Sequence, residues 1–120
     1  MKKTCNFVEV NGIGTVRMRD GSIRDVFVYG YFQMFNWAFM VHTDVETPEY
    51  CTVSEASTGC RLENETYYTV DDALYYAIPF IENKRYYFAT RVGDMRVRFQ
   101  QNLEARNTTL LQTLAIDILL

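Results

Sequence analysis

His42 is the only histidine in the chain, so any acid–base or nucleophilic chemistry that relies on an imidazole near neutral pH must run through it. Its neighbours Thr43 and Asp44 cannot build a triad by themselves; Ser54, Ser57 or a cysteine would have to arrive through the fold. A cysteine–histidine pair of His42 with Cys51 or Cys60 has no local support, and the ordinary alternative is a partly exposed histidine at a strand end. The pair Asp71-Asp72 has the character of an acid–base or Mg²⁺ site, yet a helix start accounts for both carboxylates. Gly12-Ile13-Gly14 resembles a fragment of a phosphate-cradling loop. It lacks the third glycine, the Lys-Ser/Thr ending and a following helix, and reads as a flexible turn. Cys5, Cys51 and Cys60 with one histidine offer no paired spacing for zinc. Reduced thiols are the expectation, with a Cys51–Cys60 bridge across a hairpin as the alternative. No catalytic residue, metal or cofactor is assigned, and the chain is expected not to be an enzyme.

The elements that position these residues begin with strands. Val16 and Met18 alternate with Arg17 and Arg19, Asp20-Gly21 supplies a two-residue turn, and Ile23 to Val28 return, which predicts a first hairpin. Gly30 to Phe39 is almost wholly aromatic and apolar and suits a buried central strand or an interface, with Asn36 the best turn residue. Tyr50–Val53 and Cys60–Leu62 pair through the turn formers of 54–59. Thr69 is a candidate N-cap, and Val70, Leu74, Ala77, Ile78 and Ile81 share one helical face. Pro79 predicts a kink or an end near Ile78. Residues 85–100 alternate with period two around Gly93-Asp94 and predict a second hairpin. A second helix follows through Leu110, Leu114 and Ile118, capped inside by Thr108 or Thr109, with its apolar end docked on the sheet or on a second subunit. Together these predict one α+β domain over residues 1–120: an antiparallel sheet of hairpins with two α-helices packed on one face.

Charge separates the middle of the chain from its flanks. Between Asp25 and Glu82 there are ten acidic residues and one basic residue, Arg61, whereas the segments on either side are basic. The net charge is −3 and nearly half of the 120 residues are hydrophobic, which argues against disorder. No apolar run reaches the roughly 20 residues of a spanning helix, and Asn6, Glu9 and Asn11 interrupt any leader-like segment. A cytoplasmic protein is expected.

Two surfaces follow from this distribution. Arg91, Arg96 and Arg98 would project from the wet face of the second hairpin as a nucleic-acid-binding ribbon, although the acidic chain as a whole opposes such binding. Asp44, Glu46, Glu49, Glu55, Glu63 and Glu65 lie in or beside two loops. They could form one negative patch that docks on a basic groove.

The segment Tyr50-Cys-Thr-Val-Ser-Glu-Ala-Ser-Thr-Gly-Cys-Arg-Leu, followed by Tyr68-Thr-Val-Asp-Asp-Ala-Leu-Tyr-Tyr-Ala, resembles a hairpin–helix unit of small phage and mobile-element proteins, about a quarter of the chain. That resemblance includes anti-defence inhibitors of the anti-CRISPR type. It implies a small binding protein that blocks a nucleic-acid-handling host protein, here through the acidic face. Direct nucleic-acid binding through the arginine hairpin is the alternative, and the aromatic content leaves room for a homodimer.

Overall fold

The computed structural model describes residues 6–35, 37–62 and 65–119, with side chains described outside 85–92, 94 and 108–119. Five strands, β1 (Val8–Arg17), β2 (Ile23–Met34), β3 (Trp37–Thr43), β4 (Cys51–Glu55) and β5 (Cys60–Arg61), precede one assigned helix, α1 (Val70–Leu119). The strands form an antiparallel sheet in the order β1-β2-β3-β4-β5, so each strand pairs with its neighbour in sequence. The architecture is α+β.

The first hairpin forms as expected. Arg17 pairs with Ile23, the Met18 N–H donates to the Ser22 carbonyl at 2.8 Å, and Gly21 takes a left-handed φ of 87° that L side chains disfavour. Asn11-Gly12 does not stop the strand, and Gly12-Ile13-Gly14 is not a turn. β1 runs through both with a register shift between Glu9 and Gly12, and Asn11 takes the positive φ (53°) that asparagine tolerates best among non-glycine residues. The aromatic run 30–39 is two strands joined at Phe35, with Met34 opposite Trp37. Asn36 lies outside the described residues.

A second register shift, between Val28 and Gly30 of β2, decides which side chains reach which face. Before it, Val26 and Val28 cluster with Val16 and Met40; after it, Phe32 joins Phe39, Val41, Cys51 and Val53 on the other face. One inserted residue reverses the alternation, so a single strand feeds both cores.

α1 covers the second face. Thr69 caps it: the Asp72 N–H donates to Thr69 Oγ1 at 3.1 Å, with Asp71 and Asp72 in the positive first turn. Ala73, Leu74, Ala77, Ile78 and Ile81 are buried against Phe32, Phe39, Val41 and Val53. Pro79 does not end the helix. It stands on the exposed side, so the bond that its ring forgoes is lost towards water while Ile78 and Ile81 keep their packing.

Residues 85–100 are helical, and the predicted second hairpin is not formed. The sequence carries a helical row as well: Met95, Phe99, Asn102, Leu103 and Arg106, spaced i, i+4, i+7, i+8 and i+11, are the less exposed described positions. Phe99 is buried, Asn102 Nδ2 donates to the Gly21 carbonyl, and Arg106 pairs with Asp25 at 3.1 Å. The two predicted helical stretches lie in this one element. Thr108 and Thr109 fall within this helix, but their side chains, like the docking of the apolar end at 118–120, lie outside those described.

Gly93, a turn glycine on the hairpin expectation, is an exposed helix residue, and a Cβ there meets nothing within 4 Å. Gly93→Ala should therefore stabilise the fold by about 0.5–1 kcal/mol through helix propensity. Urea denaturation checks this; a loss of stability would mean that residue 93 is not helical.

The sheet is curled. Arg17, the last residue of β1, donates its N–H to the carbonyl of Gly59 in the β4–β5 turn at 2.7 Å, which ties the first strand to the approach of the fifth. On the Val16–Met40 face this encloses a cleft of about 990 Å³, with Met95 of α1 at its wall.

Candidate functional site

Two regions concentrate polar and aromatic side chains. The first is the cleft. His42 sits mid-sheet opposite Thr52, and Ser54 lies diagonally across from it on β4. Both are buried, at 2% and 1% exposure, so His42 is not the partly exposed strand-end residue expected. His42 Nδ1 lies 2.8 Å from the Thr43 carbonyl, which can only accept, so Nδ1 carries the proton. Nε2 then accepts the Ser54 hydroxyl at 2.7 Å. This is the polarity of a serine–histidine dyad. The chemistry does not follow, because Ser54 lies inside a strand paired on both sides, and its flanking amides belong to those ladders. No Cys–His pair forms either: the Cys51 thiol donates to the Thr69 carbonyl, the Cys60 thiol to the Thr58 carbonyl, and both cysteines are free. Cys5 lies outside the described residues. Burial, with the Asp72 carboxylate adding to it, pushes the Cys51 thiol up to about 11, where it is a poor nucleophile. Among the described residues no cluster of His, Cys, Asp or Glu could hold a metal ion.

Burial lowers the pKa of His42; the Thr43 carbonyl opposes this, Arg61 adds to it and Asp44 opposes it. Its native value therefore lies below 6.5. As pH falls below the unfolded value, the unfolded chain takes up a proton that the native state refuses, and stability declines until the native pKa is reached. We expect thermal stability to fall from about pH 7 to about pH 5, with a His42→Gln variant lacking that component. The single imidazole gives a direct NMR check, and a midpoint at or above 6.5 would contradict the burial argument.

The second region lies where β4, the segment 65–69 and the start of α1 meet. Tyr67 exchanges two backbone hydrogen bonds with Cys51 at 2.8 Å, which fixes the approach to Thr69. Tyr68, Tyr76 and Tyr75 are 78, 57 and 50% exposed. Their rings touch in pairs: Tyr50 with Tyr68 at 5.0 Å, Tyr67 stacked on Tyr76 at 5.7 Å, and Tyr75 edge-on to Tyr76 at 5.1 Å. Hydrogen bonding with the Tyr68 hydroxyl raises the pKa of Tyr50, and the Glu49 carboxylate adds to the rise. A groove of about 480 Å³ runs between Glu65, Thr66, Tyr67, Tyr76 and Phe80. Exposed carboxylates of Glu49, Glu65, Asp71 and Asp72 lie on the same segments.

The six predicted acidic residues divide between structure and surface. Asp44 is buried: its carboxylate accepts the Thr47 N–H and hydroxyl at 3.0 and 2.7 Å and pairs with Arg61 at 3.1 Å. Burial pushes its pKa up, but the Thr47 hydrogen bonds and the Arg61 charge outweigh that and hold it below the usual value. Glu55 is 3% exposed and closes the β4–β5 turn by accepting the Ser57 N–H at 2.9 Å and hydroxyl at 2.6 Å. Both carboxylates are buried and engaged within their own turns. Glu46, Glu49 and Glu65 are exposed, and Glu63 lies outside the described residues.

The arginine ribbon is not assembled. Arg96 and Arg98 are exposed on α1 two residues apart, about 200° around the helix axis, and the side chain of Arg91 lies outside those described. The tyrosine cluster was not singled out from sequence. The signal for it was the density of Tyr50, Tyr67, Tyr68, Tyr75 and Tyr76 around a helix N-cap, where a core-facing stripe already occupies the other face. Among the described residues no helix is long and apolar enough to cross a membrane. No family model, curated protein or solved structure matches the chain.

Proposed function

We propose that this chain is a non-enzymatic binding protein that docks a basic segment of a partner protein on the tyrosine surface at the start of α1. The observation that carries this reading is the cluster of Tyr68, Tyr75 and Tyr76, half or more exposed and bordered by Glu49, Glu65, Asp71 and Asp72. Tyrosine supplies large contact area at low conformational cost and is enriched at protein interfaces, whereas isolated solubilising carboxylates need no such rings. Stacked tyrosines beside Glu65 suit lysine or arginine, which combine a cation for the ring faces with donors for the carboxylate. Basic segments of this kind line the grooves of proteins that handle nucleic acid, and such a protein is the partner we favour.

The test is a tagged pull-down from host lysate, with and without nuclease, comparing the wild type with Tyr68→Ala/Tyr76→Ala and Glu49→Lys/Glu65→Lys variants. All four positions are surface ones, so folding should survive, and circular dichroism checks that it does. A basic partner retained through nuclease by the wild type and lost by both variants is the expected result. Retention by both variants, or recovery that vanishes with nuclease, would sink the reading.

A further inference from the structure

Within the tyrosine surface, the groove between Glu65, Thr66, Tyr67, Tyr76 and Phe80 is built from pinned backbone. The Glu65 carbonyl accepts the Thr52 hydroxyl and Arg61 Nη2, each at 2.9 Å, and Tyr67 exchanges two backbone hydrogen bonds with Cys51 at 2.8 Å. Tyr76 stands on α1 directly before buried Ala77, and Phe80 packs against the core that holds Ile78 and Ile81. Walls held in this way cost a ligand little further ordering. The ring planes of Tyr67 and Tyr76 lie within 12° of each other, so a flat group can lie parallel to both. Glu65 supplies the charge. Its carbonyl is used twice, but no described residue donates to its carboxylate, unlike that of Asp44, which Thr47 and Arg61 engage. Among the described residues no cation lines the groove.

We infer that this groove is an arginine socket: the basic segment is anchored by one arginine and not by a lysine. The guanidinium face lies on the Tyr76 ring, its edge meets the Glu65 carboxylate and its aliphatic stem runs along Phe80. The inference rests on the docking reading above and names the residue class that reading left open. Two properties decide between the cations. A guanidinium is planar and weakly hydrated, so it stacks on a ring face while two parallel N–H groups meet one carboxylate. An ammonium is a compact, strongly hydrated point charge, which gains no two-point contact and gives up more water between aromatic walls. The space, about 480 Å³, is more than an arginine side chain fills and leaves room for its flanking backbone.

NMR titration of the whole protein with capped, glycine-flanked peptides carrying arginine, lysine or citrulline tests this. The arginine peptide should shift the Glu65, Tyr67 and Tyr76 signals saturably and bind about five- to tenfold more tightly than the lysine peptide. Citrulline, which keeps the shape without the charge, should bind more weakly than either. Glu65→Gln leaves the backbone carbonyl in place and should weaken arginine about tenfold, narrowing its margin over lysine. Tyr76→Leu keeps the apolar bulk without the ring face and should weaken arginine about fivefold, whereas Tyr76→Phe should not. Both positions are exposed, so folding should hold, and circular dichroism checks it. Equal binding of arginine and lysine, no saturable shift with arginine at high millimolar concentration, or full affinity in Glu65→Gln would each overturn the inference. If the pull-down still loses its basic partner in both surface variants while the peptides are not discriminated, the docking reading stands and the arginine socket falls.

Discussion

Phe39→Ala is expected to remove about 3–5 kcal/mol of folding stability, one of the two largest single effects in this protein. Phe39 is fully buried, stacked on Phe32 with ring centroids 5.4 Å apart, and belongs to the cluster that receives Ala77, Ile78 and Ile81 from α1. Truncation removes apolar area and leaves a cavity between a sheet and a helix that cannot both move in to fill it. Small domains hold about 5–15 kcal/mol in all, so the variant should approach its unfolding midpoint at modest denaturant concentrations. Phe39→Leu, which keeps most of the volume, should lose markedly less. The contrast is Phe35→Ala on the exposed β2–β3 turn. There a ring contact with Trp37 at 6.5 Å is lost and a strained left-handed φ of 52° is kept, so the change should be small. Chemical denaturation of the three variants measures this order. A Phe39→Ala loss below about 1 kcal/mol would mean that α1 does not pack on this face.

Gly59→Ala is the second. Gly59 has φ of 66°, where an L residue loses roughly 1–2 kcal/mol. The added methyl carbon would also stand 2.7 and 2.8 Å from Cε1 and Cζ of Phe99 and 3.0 Å from the Arg17 nitrogen. Phe99 is buried and Arg17 N is bonded to the Gly59 carbonyl, so neither yields without breaking the tie between β1 and the β4–β5 turn. Crowding adds about 1–3 kcal/mol, for a total loss of about 2–5 kcal/mol. A double-mutant cycle separates the two causes. In a Phe99→Ala background the methyl has room, so the Gly59→Ala penalty should shrink towards its backbone part. A penalty that is unchanged in that background would mean that Phe99 does not rest on this turn.

Local signals in the sequence translated directly into structure. Asp20-Gly21, the turn formers of 54–59 and Thr69 each act within a few residues, and the first hairpin, the β4–β5 pairing and the N-cap of α1 follow from them. The alternation at 85–100 misled because it competes with a helical row whose inward members include Asn102 and Arg106, polar residues that look like surface in a binary pattern. Their partners, Gly21 and Asp25, are 81 residues away, and no local rule supplies them. Asp44 and Glu55 read as surface in the sequence because acidic residues in loops usually are. The hydroxyl residues Thr47 and Ser57, three and two positions on, were the readable sign that these carboxylates close their own turns. The His42–Ser54 pair needed the register of β3 against β4, and the two faces of β2 needed its bulge; neither is a property of one segment.

The neighbour-to-neighbour order of the strands and the 81-residue reach of α1 back to the first hairpin divide assembly into an early and a late stage. Every strand pairing closes a short loop, which is the inexpensive kind of contact for a searching chain, so the sheet can form as its strands leave the ribosome at about 5–20 residues per second. The Gly21 carbonyl and the Asp25 carboxylate wait for Asn102 and Arg106, which are synthesised seconds later. In that interval the turn at Gly59 stands without Phe99, and a chain halted before residue 95 would hold a paired sheet with one end of its cleft unwalled.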